Sequence, residues 1–198
     1  ATTRLEKGWM VGNTKNAAVG NIPSNFKNTF NTTGAKTINY HYAKSDSCAL
    51  RIGATAAASN GAYAILPEIN ATFDNLQIRF YGRAVYATGS KVANKDSIYN
   101  LTYVASDYQH AIKVGTLTDP YDLSTFELLT DYTFQVVTDK STIVEGGYWE
   151  EVVVSLAEAK GKYIAFVSDY NAKNMVYIDD VVVEPLSCVA PPNFIVMD

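Results

Sequence analysis

Two adjacent carboxylates, Asp179 and Asp180, stand inside the otherwise apolar run "VYIDDVVVEP", Val176 to Pro185. In an extended strand neighbouring side chains point to opposite faces, so the two cannot work together as a catalytic acid–base pair. One row is Val176, Ile178, Asp180 and Val182; the other is Tyr177, Asp179, Val181 and Val183. Whichever row packs inward carries one carboxylate among apolar neighbours. An ionised carboxylate there is costly unless it is paired, hydrogen-bonded or bound to a cation. Two readings stand side by side. Asp179 or Asp180 is a ligand of structural Ca2+, the natural cation for an all-oxygen site, or a backbone amide, an arginine or a local bend satisfies the buried group.

A second set of polar groups lies in "LQIRFYGRAVY". Strict alternation places Leu76, Ile78, Phe80, Ala84 and Tyr86 on one face and Gln77, Arg79, Tyr81 and Arg83 on the other. The second row mixes a ring with amide and guanidinium groups. Sugar sites use such mixtures, because sugar C–H faces pack on rings while hydroxyls bond polar groups. The plainer reading is a solvated sheet face whose arginines pair with nearby acids. Tyr148 and Trp149 add aromatic surface, although Trp149 is better suited to plug the core. The candidate ligand-binding residues are thus Arg79, Tyr81, Arg83 and Tyr148, and the candidate metal ligands are Asp179 and Asp180.

Signs of catalysis are weak. Glycoside hydrolysis needs two carboxyls facing one cleft, about 5 to 9 Å apart, whereas Glu150 and Glu151 are adjacent and point apart. No G-x-S-x-G elbow, H-E-x-x-H helix or Gly-rich phosphate loop occurs. His41 and His110 are the two histidines, and a lone His at a strand end is ordinarily structural. The chain is expected not to be an enzyme.

The elements that position these residues are short segments rich in Tyr, Val, Ile, Phe and Thr between turn-forming clusters, without a sustained 3.6-residue period. Strands are predicted near 37–42, 62–66, 76–86, 99–104, 110–117, 125–129, 133–137, 151–156, 163–167 and 175–183. In "EVVVSL", Val152, Val154 and Leu156 point inward, and Glu151 and Ser155 outward. Such a series predicts an all-β, two-sheet sandwich. A length of 198 residues suits one main domain. Polar loops such as 12–36, 87–97 and 138–148 offer binding surface on a rigid scaffold.

Composition narrows the function. A formal net charge of −4 and the lack of a basic run argue against nucleic acid. No apolar stretch approaches the roughly 18 residues of a membrane-spanning helix, so direct membrane insertion is not expected. The 18% charged content, with Asn, Thr, Ser and Tyr supplying polarity, suits an extracellular or cell-surface protein. Cys48 and Cys188 either pair or remain thiols. Asn31, Asn70 and Asn100 each open an N-x-T sequence, a pattern common by chance in such a chain.

Taken in order, "LEKGWMVG", "CALRIGATAAASNGAYAILPEI", "IKVGTLTDPYDLSTFELL", "YWEEVVVSLAEAKGKYIAFVS" and "VYIDDVVVEP" resemble modules related to MAM domains and to the cleaved-adhesin (haemagglutinin) domains of bacterial surface proteases. The resemblance covers roughly residues 5 to 185. It implies an all-β, two-sheet antiparallel jelly-roll β-sandwich of the concanavalin or galactose-binding kind. It also implies a secreted, non-catalytic adhesion module that recognises a glycan or glycoprotein surface and adjoins other domains of a parent protein. Relatives often bind calcium near the "DD" strand, but the acidic D-x-D-x-D loop of some adhesins is replaced here by "GNTKN". A structural spacer or protein-interaction domain is the alternative, with a glycoside hydrolase behind both. The module is assigned to residues 1–187. Residues 188–198, "CVAPPNFIVMD", are assigned to a linker and the start of a following domain that resembles fibronectin type III.

Overall fold

The computed structural model describes residues 9–13, 35–39, 44–45, 48–53, 62–85, 87–88, 102–103, 110–139, 148–168 and 175–186. Within them lie β1 (Met10–Asn13), β2 (Ala35–Asn39), β3 (Cys48–Gly53), β4 (Ala62–Ile65), β5 (Leu76–Val85), β6 (Ala87–Thr88) and β7 (Thr102–Tyr103). They are followed by β8 (His110–Leu117), β9 (Glu127–Phe134), β10 (Val136–Val137), β11 (Glu150–Ser155), β12 (Tyr163–Ser168) and β13 (Met175–Pro185). One 3-10 turn, Leu123–Thr125, precedes β9.

The strands form two facing sheets. One runs β1-β4-β12-β8-β9; the other runs β10-β5-β13-β3-β2, with β11 also paired to β5. β6 and β7 form a separate short ribbon. Almost every pairing is antiparallel, and the two-residue contact of β10 with β5 is parallel. The architecture is a jelly-roll β-sandwich.

Period-2 alternation explains how the core fills. Ile78, Phe80 and Ala84 of β5, Val152 and Val154 of β11, and Val176 and Ile178 of β13 face Ala64, Ile112, Val114, Ile164 and Phe166 of the opposite sheet. Phe80 meets Phe166 edge-on at 5.0 Å between ring centroids, and Trp9 stacks on Phe166 at 6.5 Å. Truncating either phenylalanine to alanine removes about 3–5 kcal/mol of packing. Gly82 completes the inner row of β5, because a Cβ there would collide with the Phe134 ring.

Three strands, β1, β3 and the two-residue β6, lie outside the predicted series. Ala49 and an alanine-rich continuation dilute the β signal of "CALRIG", yet β3 is paired on both edges, by β13 and β2. The strands predicted at 125–129 and 133–137 meet in one continuous strand, β9, while Val136 and Val137 leave it for the other sheet as β10; β9 pairs with β8 through a register shift at Val114/Gly115. The readings placed on His41, Cys188, Asn31, Asn100, most of the long loops and the segment 188–198 fall outside the described residues, as does the Cys48 side chain.

Candidate functional site

The paired aspartates depart from simple alternation. Along β13 the register with β5 runs Ile178↔Gly82 and Asp179↔Tyr81, then resumes at Val182↔Arg79. One extra residue is therefore inserted opposite Phe80, which is a β-bulge. Asp180 sits there at φ 49°, in the left-handed region. Aspartate is among the few L-residues that accept this conformation, because its short polar chain can bond locally. The inward row accordingly switches from even to odd numbers: Val176 and Ile178 pack before the bulge, and Val181 and Val183 after it.

Neither carboxylate is therefore enclosed by the core, and the two do not point apart. Both grip the segment Lys44–Ser45. Asp179 Oδ2 accepts the Lys44 and Ser45 backbone N–H groups at 2.7 and 3.2 Å, and its Oδ1 accepts the Asp180 N–H at 3.0 Å. Asp180 accepts the Ser45 hydroxyl and, at 3.0 Å, the Lys44 ammonium. Burial pushes the Asp179 carboxyl above the usual carboxylate range against those three N–H groups. Burial also acts upward on Asp180, but the Ser45 and Lys44 hydrogen bonds and the Lys44 charge bring it below.

The partners that the structure describes for the two carboxylates are N–H and O–H donors and one ammonium. Ca2+ takes six to eight oxygens, and among the described residues no three His, Cys, Asp or Glu side chains gather to hold a metal. The Lys44 ammonium already supplies a positive charge beside Asp180.

Lys44 leads to the outer face of the β11–β5–β13 sheet. Its Nζ lies 3.8 Å from the centre of the Tyr81 ring, so one face of that ring is covered. Tyr81 donates its hydroxyl to Glu151 at 2.9 Å. Arg79 stands between two acids: Nε and Nη2 bond Glu184 at 2.9 and 3.2 Å, and Nη1 lies 3.6 Å from Glu151. Gln77 donates to the same Glu184 at 3.1 Å. The Arg79 hydrogen bonds, aided by Gln77, hold the Glu184 carboxyl below its usual range, and the Glu184 bond raises the guanidinium. Val153 and Val182 flank Arg79 in register and are 51% and 38% exposed. A strip of fixed donors and acceptors thus runs between two small apolar surfaces.

The other sequence candidates lie apart from this strip. Arg83 shares the outward row but is 0% exposed, which corrects its reading as an outward ligand group. Its guanidinium lies 4.6 Å over the Trp149 ring and 5.9 Å from that of Tyr177. Trp149 is accordingly a half-buried cover for Arg83 and not a core plug. Tyr148 stands two residues before β11, 43% exposed, with φ 57° and its hydroxyl donating to Gln135 Oε1 at 2.7 Å. Glu150 turns the other way from Glu151, accepting Tyr132 Oη and the Gln135 N–H, both at 2.9 Å. Glu151, Glu184, Lys44 and Ser45 were not among the sequence candidates. The outward register of "EVVVS" signalled Glu151, whereas the bulge concealed Glu184.

Solved structures share the fold. The K1 cleaved adhesin domain of Lys-gingipain from Porphyromonas gingivalis is 14% identical, with a TM-score of 0.57 over 94% of this chain and 95% of that one. The K2 cleaved adhesin domain is 14% identical, with a TM-score of 0.51 over 87% and 86%. The chain has the jelly-roll fold of these adhesin domains. A xylan-binding domain from Paenibacillus barcinonensis is 10% identical, with a TM-score of 0.47 over 95% and 92% of the two chains. No protein-family model and no curated protein sequence matches the chain. On this jelly roll the strip occupies the solvent side of one sheet. Among the described residues no helix is long and apolar enough to cross a membrane.

Proposed function

We propose that the chain is a non-catalytic binding module whose outer β11–β5–β13 face recognises carbohydrate, free or carried on a glycoprotein. The observation that carries this reading is the strip itself. Guanidinium, phenol and two carboxylates hold one another at fixed spacing beside exposed Val153 and Val182, with the buried Gln77 amide bracing Glu184 from one side. Sugar hydroxyls require donors and acceptors together, and sugar C–H faces require apolar contact. Groups ordered in advance spare a ligand part of the ordering cost. Tyr148, its hydroxyl tied to Gln135, adds an exposed ring of fixed orientation at the edge of the same sheet.

The acids of the strip suit binding better than hydrolysis. A glycosidase keeps one carboxyl protonated as general acid, whereas Arg79 holds Glu184 ionised and also lies beside Glu151. In this reading the module belongs to a larger secreted or cell-surface protein and adjoins further domains of it. A protein-interaction role is the second reading, favoured by the two exposed valines on either side of Arg79.

A broad glycan and polysaccharide array tests the proposal. Saturable binding to a defined glycan class is expected. Absence of binding, together with a stable interface to an adjacent domain of the parent protein, would put the second reading ahead.

A further inference from the structure

The opposite sheet has its own outward cluster. Tyr63, Ile65, Leu117, Ala165 and Val167 form a satellite core, against which Leu123, Phe126 and Tyr163 pack. The segment 118–126 thereby lies over the outer side of the β4–β12–β8 region. Its backbone is closely tied: Asp119 Oδ1 accepts the Tyr121 N–H at 2.9 Å, and Asp122 Oδ1 accepts the Ser124 N–H at 2.9 Å. Thr125 Oγ1 donates to Asp122 O at 2.7 Å. With Leu123 and Phe126 anchoring it below, this loop holds Tyr121 out at 55% exposure, the most exposed of the large apolar or aromatic side chains among the described residues.

Beside it, Tyr163 donates its hydroxyl to Glu68 Oε2 at 3.1 Å. Glu68 also has Lys162 Nζ at 3.9 Å, and Tyr163 packs on the same satellite core as Leu123 and Phe126, the two anchors of the loop that carries Tyr121. Two phenols, one on a rigid support, thus stand with a solvent-open carboxylate that can accept sugar hydroxyls. The Glu68, Asp119 and Asp122 carboxylates disfavour an anionic sugar here.

We propose that Tyr121, Tyr163 and Glu68 form a second carbohydrate contact, selective for neutral hexose or pentose glycans and separate from the Arg79 strip on the other sheet. A module with contacts on both sheets can bridge two glycan strands, and binding to a polysaccharide gains from both contacts at once. The inference rests on the carbohydrate reading above.

Calorimetric titration of the full chain with cellohexaose, xylohexaose, mannohexaose and maltohexaose tests it, using wild type, Y121A, E68Q and R79A. Tyr121 is exposed, so Y121A is expected to fold, and coincident thermal melts check this. Wild type is expected to bind two equivalents of at least one oligosaccharide. Y121A loses one of them or weakens it about tenfold, E68Q weakens the same one, and R79A spares it. Binding in wild type that neither Y121A nor E68Q alters overturns the second contact and leaves the carbohydrate reading standing. Binding lost in Y121A but unaffected by R79A upholds the contact and removes the Arg79 strip from the account. No binding of any oligosaccharide by wild type overturns both.

Discussion

At Asp180 the usual strand order of glycine and alanine should reverse. In an ordinary strand interior glycine is worse than alanine by roughly 0.5–1 kcal/mol, because it loses more freedom on folding. Asp180 instead has φ 49°, where a Cβ costs about 1–2 kcal/mol that glycine avoids. D180A and D180G both forfeit the bonds to the Lys44 ammonium and the Ser45 hydroxyl, so that loss cancels between them. Subtracting the midpoint of the glycine entropy from the midpoint of the alanine strain leaves D180A less stable than D180G by roughly 0.75 kcal/mol. For a chain of this size that is roughly 1–4 °C in melting temperature. Urea unfolding with a shared m value resolves the difference. V182A and V182G serve as the internal control, because Val182 lies beyond the bulge, back in register with Arg79; there alanine should be the better residue. Equal stability of the two Asp180 variants, or a preference for alanine, would refute the bulge as the reason both carboxylates reach Lys44 and Ser45.

Two further outcomes concern the same pair. Asp180 is held below its usual pKa, so its contribution is present above the ordinary carboxylate range and is lost as pH falls. The stability gap between wild type and D180N should narrow in urea melts taken from about pH 7 to about pH 3. Asp179 is raised by burial, so its contribution is present below the ordinary range and is lost as pH rises. Wild type should therefore lose ground to D179N as pH increases over the same window, and gaps moving in one direction for both variants would contradict the assignment. Melts in excess calcium and in chelator should coincide, because Lys44 supplies the positive charge beside Asp180; a clear rise with calcium would restore the metal reading.

Alternation made β5 and β11 legible: Ile78, Phe80, Val152 and Val154 lie inward as their spacing requires. Arg79 and Tyr81 were recognisable as outward polar residues for the same reason. The fate of β13 was not legible, because a single residue in the left-handed region reverses every later side chain and leaves no trace in hydrophobic period. That is why Glu184 could not be placed beside Gln77 and Arg79, and why Asp179 and Asp180 read as pointing apart. The "DD" step inside an aliphatic run was nonetheless the place to suspect a bend, since aspartate tolerates positive φ. Arg83 escaped for a different reason. Its burial depends on the Trp149 and Tyr177 rings, brought to it from β13 and from the residue before β11, and alternation cannot report such a cover.

The most direct test of the central claim is a calorimetric titration of wild type and R79A against the glycan selected by the array. Removing Arg79 leaves Glu184 and Glu151 without the guanidinium between them and breaks the strip, while Ile78 and Phe80 keep the core beneath it. The account predicts that R79A loses the outer-face binding, at least about tenfold in affinity, with an unfolding transition as cooperative as that of wild type. Unchanged affinity and stoichiometry in a folded R79A would contradict carbohydrate recognition on this face.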